Sequence, residues 1–185
     1  MSQQELLSRI IAALNSKQIP YMLTGGLATS LLGLPRYTQD IDLVVDLPSS
    51  NLPQLTHLFP EPEFYVDQQA AEQAIASKEM FQLLELASGD RVDFHLLTKD
   101  SFDTSRFARR QTTDYMGQRL MLPTAEDLII QKLRWAKQCG GSEKQLFDVL
   151  TIYEVQKENL DMAYIRYWVN TLELGDFYDK VSKQA

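Results

Sequence analysis

The sequence is short of several things, and each shortage narrows what the protein can be. It has one cysteine, Cys139, so neither an internal disulfide framework nor a cysteine-rich metal cage can be built, and a reducing cytoplasm is the expected setting. Basic side chains are in deficit: 18 Lys plus Arg stand against 25 Asp plus Glu, for a net charge of -7. That balance argues against counterion-driven binding to duplex DNA, which is not an expected partner, and leaves room for a small anionic substrate or a locally basic groove. No apolar run approaches the roughly 20 residues of a membrane helix, so a membrane is not expected as a partner either. The first residues, MSQQELLSRIIAALNSK, set Leu6, Leu7, Ile10, Ile11 and Leu14 at helical spacing between polar residues, unlike the unbroken apolar core of a signal peptide. Repeats and low-complexity stretches are absent as well, and 185 residues suffice for one domain with a core and a small helical appendage.

What is present reads as strands early and helices late. A first helix is expected over about Gln3 to Lys17, followed by a short buried strand from Ile19 to Gly25. A second, short helix starts near Leu27, because Gly33 favours a turn and Pro35 pushes Leu34 out of helical dihedrals. Asp40 to Leu47 is the next strand, with Asp40, Asp42 and Val44 on one face and Ile41, Leu43 and Val45 on the other. After a proline-rich stretch with a short helix at Leu52 to Leu58 comes a helix in DQQAAEQAIASK. FQLLELASGDRVDFHLL then reads as a hairpin turning at Ser88-Gly89-Asp90, with Asp93 and His95 sharing a face. GQRLMLP is a last short strand. Thr124 with Asp127 starts a helix that Gly140 and Gly141 stop, Ser142 with Gln145 starts another, and DMAYIRYWVNTLEL is helical with Ile165, Trp168, Val169 and Leu172 as its apolar stripe. The expected class is α+β, a mixed sheet with flanking helices over residues 1-123 and a C-terminal helical region over residues 124-185.

Two carboxylates two apart on a strand, Asp40 and Asp42, repel each other and are costly to desolvate, so a positive charge is expected between them. If the strand carrying Asp93 is a neighbour, three carboxylates converge on one sheet face, a donor set that suits hard divalent cations. Two such ions roughly 3.5 to 4 Å apart can hold the attacking and leaving oxygens of an in-line phosphoryl displacement. Upstream, Thr24-Gly25-Gly26 ends a strand and opens a helix, where backbone N–H groups can approach a triphosphate with no side chain in the way.

TGG, thirteen residues, DIDL and a later RVDFHL resemble the nucleotidyltransferase superfamily with the polymerase-beta-like minimal fold. GGLATSLLGLPRYTQDIDLVV and PTAEDLIIQKLRW are similar in particular to small bacterial members, including abortive-infection toxin-type nucleotidyltransferases, over roughly residues 19 to 150. The resemblance implies a nucleotidyltransferase-type sheet and transfer of a nucleoside monophosphate from a nucleoside triphosphate to a hydroxyl, with pyrophosphate leaving. It implies Mg2+ as cofactor, with Mn2+ as the other candidate. Carried over residue by residue, Asp40 and Asp42 match the metal-binding pair, and Asp93 matches the third carboxylate, which binds metal and helps deprotonate the acceptor. Gly25 and Gly26 match the phosphate turn, with Ser30 as a further candidate contact. Arg36 and Thr38 match the Arg-x-Thr-x-Asp signature, and Lys132 the lysine on the helix after the sheet. Leu27 stands where the superfamily pattern has a serine after the second glycine. An antitoxin is the candidate protein partner that the resemblance suggests.

Blander readings compete. Asp40 and Asp42 can be solvated charges that discourage edge pairing. Gly25-Gly26 can simply permit tight packing. Arg36 can pair structurally with Asp40 or Asp42. Lys132 can be a solvated helix residue. Arg106, Arg109 and Arg110 in RFARRQ read as a solvated face, and His95 reads as a half-buried, hydrogen-bonded histidine rather than a ligand. The leading expectation is a metal-dependent nucleotidyltransferase acting on a small molecule, RNA or protein. Its rivals are a non-catalytic nucleotide-binding or toxin-antitoxin interaction module and a metal-dependent phosphohydrolase.

Overall fold

In the computed structural model, which describes residues 1–183, the chain divides into two compact units. The first comprises Met1–Leu27 and Tyr37–Leu122, the second Ala28–Arg36 and Pro123–Ala185. The second unit therefore draws in the short segment 28–36 in addition to the C-terminal helices. Among the described residues no helix is long and apolar enough to cross a membrane.

The first unit opens with helix α1 (Gln3–Ser16), which starts where local chemistry says it should. The Ser2 hydroxyl accepts from the Glu5 amide while the Glu5 carboxylate accepts from the Ser2 amide, satisfying two of the orphan donors of a helix start. The residues expected to form its apolar face, Leu6, Leu7, Ile10, Ile11 and Leu14, are all buried. Strands β1 (Tyr21–Thr24), β2 (Ile41–Val45), β3 (Phe64–Tyr65), β4 (Met80–Glu85) and β5 (Arg91–Leu96) form one sheet in the order β1-β2-β5-β4-β3. Only the central β2–β5 pairing is parallel; β1–β2, β5–β4 and β4–β3 are antiparallel. The sheet is thus mixed, as expected, and the hairpin at Ser88-Gly89-Asp90 forms as read.

One face of the sheet is core. Ile41, Leu43, Val45, Val92, Phe94, Phe81 and Leu83 alternate onto it and are buried, and the Phe81 and Phe94 rings stack at 4.9 Å between centroids. Each such side chain contributes about 1.5–3 kcal/mol through burial. The other face is partly open: Asp42, Asp93 and His95 are half-buried, and Gln82 and Met80 are exposed. At its far end Met22, Val44 and Phe107 close it with a small apolar cluster.

Helix α4 (Gln68–Ser77), capped by Asp67, lies between β3 and β4, and the short helix α3 (Leu52–Thr56) precedes them. Two elements beyond those expected follow β5. Helix α5 (Ser101–Ala108) is capped by the Asp100 carboxylate, which accepts from the amides of Phe102 and Asp103. Strand β6 (Gln111–Tyr115) pairs with β7 (Gln118–Leu122) as a separate hairpin, tied to β1 where the Tyr21 hydroxyl donates to the Arg119 carbonyl at 3.1 Å. The RFARRQ segment is not a solvated face: Arg106 is buried and donates to Asp103 at 2.9 Å, Phe107 is buried, and the Arg110 guanidinium lies over the Phe107 ring.

The second unit is helical. Helices α6 (Ala125–Gln138), α7 (Glu143–Gln156), α8 (Met162–Thr171) and α9 (Gly175–Ser182) follow one another. The Thr124 hydroxyl accepts from the Asp127 amide and donates to its carboxylate, so the expected start of α6 is realised. Tyr164 of α8 donates to the same carboxylate at 2.7 Å. Ile165, Trp168 and Val169 are buried, with Leu174 rather than Leu172 continuing the stripe. Helix α2 (Gly25–Leu32) carries the boundary: its first residues group with the sheet, and Ala28 onward with the helices.

Candidate active site

Strand register brings the carboxylates of two separate segments side by side. Asp42 on β2 stands directly opposite Asp93 on β5, and the same transverse row continues to Thr24 on β1 and Gln82 on β4. Neighbouring strands lie about 4.8 Å apart, so residues opposite one another on one face are in direct reach. The Gln82 amide donates to Asp93 Oδ1 at 3.0 Å, and His95 Nε2 lies 3.5 Å from Asp42 Oδ1. His95 is half-buried and within reach of a carboxylate, as the blander reading had it.

The glycine turn abuts this pair. Gly25, with φ of +65°, follows Thr24 directly, and a Cβ placed on it would collide with the Asp42 carboxylate. Backbone and carboxylate are therefore packed with no space for any side chain, and the left-handed φ independently favours glycine. Gly26 is close-packed in the same way: its Cβ would fall 2.5 Å from Thr38 Oγ1 and 2.8 Å from Thr38 Cβ. The loop that delivers Thr38 is itself held, since Gln3 Nε2 donates to the carbonyls of both Thr38 and Gln39 at 2.8 Å.

Asp93 bears the electrostatic mark of this arrangement. Burial, and after it the Asp42 charge, push its carboxyl above the ordinary value of 3.8, against the lowering effect of the Gln82 hydrogen bond. Two carboxylates at one register position favour a shared positive charge.

Asp40 precedes Asp42 by two residues, and its charge also acts to raise the Asp93 carboxyl. It lies just before β2, and its Oδ1 accepts from Arg91 Nη2 at 2.8 Å and Nε at 3.0 Å. Among the described residues, no group of three or more His, Cys, Asp or Glu side chains is gathered closely enough to hold a metal ion. The pair Asp42–Asp93 nonetheless fits a magnesium-like cation. Its donors are all carboxylate oxygens, two of them meet at one register position, and Mg2+ is commonly held by one or two carboxylates with waters and substrate phosphates completing the shell.

The remaining sequence candidates belong to the second unit and have partners there. Ser30 closes its own loop, donating to the Arg36 carbonyl at 3.0 Å and accepting from the Arg36 amide at 3.3 Å. Arg36 grips Asp148 with two donors, Nε to Oδ1 at 2.7 Å and Nη2 to Oδ2 at 2.9 Å. Lys132, only 1% exposed, donates to Asp148 Oδ2 at 2.7 Å and lies over the Trp135 ring. It is a buried residue, not a solvated one. Burial alone would push the Asp148 carboxyl up, but the Arg36 hydrogen bond and the Lys132 charge outweigh it and hold the group below 3.8.

Sequence reasoning missed Arg91, Gln82, Gln3 and Asp148. For Arg91 a signal existed. It precedes Asp93 by two, as Asp40 precedes Asp42 by two, so the parallel register that opposes the two aspartates brings Arg91 beside Asp40.

No family model matches this sequence, and no curated protein matches it. Solved structures do. ANT(2'')-Ia in complex with adenylyl-2''-tobramycin is 15% identical with a TM-score of 0.61, the match covering 94% of this chain and 98% of that one. The lincomycin-bound lincosamide antibiotic adenylyltransferase LnuA is 12% identical with a TM-score of 0.57, over 84% of this chain and 98% of that one. An antigenic nucleotidyltransferase-like protein from Paracoccidioides brasiliensis is 20% identical with a TM-score of 0.59, over 98% and 94%. At such identities the likeness is one of backbone, extending over most of this chain in each case, and what it shows is that the chain shares its fold with these proteins.

Proposed function

We propose that this protein is a metal-dependent nucleotidyltransferase that moves a nucleoside monophosphate from a nucleoside triphosphate to a hydroxyl acceptor. The observation that carries the reading is the packing of the Gly25 backbone directly on Asp42, with Asp93 beside Asp42 in register. It puts a side-chain-free turn at a helix start next to paired carboxylates, which is what a triphosphate with its cation requires.

Asp42 and Asp93 would hold the cation, whose chemistry is neutralisation of the phosphate oxygens as charge moves toward the leaving group. The turn at Gly25 and Gly26 binds and orients the triphosphate through backbone N–H groups. Asp93 takes the proton of the acceptor hydroxyl at a carboxylate oxygen. The acceptor oxygen forms a bond to the α-phosphorus, the bond from that phosphorus to the bridging oxygen breaks, and pyrophosphate departs with the electron pair. Gln82 orients Asp93. Arg36 and Lys132, which the resemblance assigns to phosphate, both donate to Asp148, and this reading does not use them. Asp40 carries Arg91 and is proposed as an anchor at the strand entry.

The test is incubation with each α-labelled triphosphate and magnesium, ATP first because two of the similar structures are adenylylating proteins by name, together with cellular metabolites, RNA or protein. Label should move into one of these fractions with the wild-type protein and stay out of it with Asp42→Asn. Turnover retained by that variant would count decisively against the reading. Binding without product would favour a non-catalytic nucleotide-binding or antitoxin-partnered module, and free monophosphate as sole product a phosphohydrolase.

A further inference from the structure

A cavity of about 430 Å³ opens on the same sheet, beyond the carboxylates, against β3, β4 and the start of α4. Tyr65, Met80 and Leu84 form its apolar wall, and Gln82, Arg91 and Asp67 its polar border. Tyr65 and Met80 are unusual for strand residues in being large, apolar-bodied and 48% and 41% exposed. Two of the polar border residues reach the acidic row, Gln82 donating to Asp93 and Arg91 to Asp40, so the cavity borders the carboxylates.

The order of strands says which substrate belongs there. Across the sheet run the glycine turn after β1, Asp42 on β2, Asp93 on β5, and then the cavity at β4 and β3. In an in-line displacement the incoming oxygen, the phosphorus and the leaving oxygen are roughly collinear. If the triphosphate lies at the glycine turn, its leaving end points away from Asp93, and the attacking hydroxyl arrives from the opposite side. That side is the shelf of Tyr65, Met80 and Leu84.

The shelf's chemistry narrows the acceptor further. Among the described residues lining it, Arg91 is the one cation, and it is paired with Asp40. A nucleic-acid strand needs a succession of cations along its phosphates, and none is offered. An apolar wall with a few polar groups at one edge, in a cavity of this volume, suits a small molecule. We propose that this shelf is the acceptor subsite of the transferase proposed above, on which the inference rests, and that it takes a hydroxyl-bearing small molecule with an apolar body, its hydroxyl turned toward Asp93.

The experiment follows backbone amide resonances of the isotope-labelled full chain during titration with 2-phenylethanol, with magnesium ATP and with a short oligoadenylate. 2-Phenylethanol should shift the amides of Tyr65 and of Met80 to Leu84, and magnesium ATP those of Gly25, Gly26 and Asp42. Tyr65→Ala and Met80→Ala alter half-exposed side chains, so both variants should fold. Each should weaken 2-phenylethanol binding at least tenfold while leaving magnesium ATP binding unchanged. The proposal is overturned if 2-phenylethanol shifts nothing in β3 and β4, if both variants bind it as the wild type does, or if the oligoadenylate occupies the shelf in its place. If 2-phenylethanol occupies the shelf but magnesium ATP leaves the glycine turn unmoved, the acceptor role falls, and the fault lies in the transferase reading rather than in the pocket.

Discussion

The two units each hold an aspartate in a charged setting, and the two settings are opposites. On the sheet, Asp93 faces Asp42 and its carboxyl is pushed up. Among the C-terminal helices, Asp148 is gripped by Arg36 and Lys132 and its carboxyl is held down. One region leaves a repulsion standing where a charged ligand can relieve it; the other resolves its charges internally. The first pattern is what a binding site looks like before its ligand arrives, and the second is what a structural tie looks like.

The comparison breaks most visibly at Asp148. Asp148→Ala leaves Lys132 buried and Arg36 without that carboxylate, and should cost about 3–5 kcal/mol, read by urea unfolding. Asp42→Asn should do the reverse, keeping the fold while activity falls on the order of 10²–10³ or more, the scale of losing one preorganised electrostatic group. Gly25→Ala comes next, since the left-handed φ alone costs about 1–2 kcal/mol and the added carbon meets Asp42. Thermal unfolding and triphosphate binding should both suffer.

The smallest effect sharpens the comparison most. Like charges directly opposite on a sheet destabilise it by roughly 0.2–1 kcal/mol, so Asp93→Asn should stabilise the protein slightly at neutral pH while abolishing transfer. The sign follows from the raised carboxyl. A group whose proton affinity is higher in the folded state contributes stability below its unfolded value, near 3.8, and loses it as pH rises through the folded value. The gain from Asp93→Asn should therefore vanish on acidification toward 3.8 and below, and magnesium should reproduce part of it in the wild type. Asp148 runs the other way: its contribution is present above 3.8 and lost as pH falls through its depressed value. Unfolding measured against pH in Asp148→Asn and wild type separates the two.

Local signals were legible in the sequence and distant ones were not. The starts of α1 and α6 could be read because Ser2 with Glu5, and Thr124 with Asp127, act within one turn. Helix α5 was hidden because SRFARR reads as polar until Arg106 is seen folded onto Asp103. Strand β6 was hidden because its hairpin turns at Met116-Gly117, both with positive φ, and methionine is no turn signal. Of the site, the pairing of Asp42 with Asp93 was inferable on the condition that their strands adjoin. The destination of Arg36 was not, since Asp148 lies 112 residues away and only the folded chain brings them together.

The single amide of Gln3 that fastens two successive carbonyls, those of Thr38 and Gln39, has a practical corollary. Replacing Gln3 would unpin the strap that presses Thr38 onto Gly26 and leads into Asp42. In Gln3→Ala the amides of Gly26 and Thr38 should exchange with solvent faster than in the wild type.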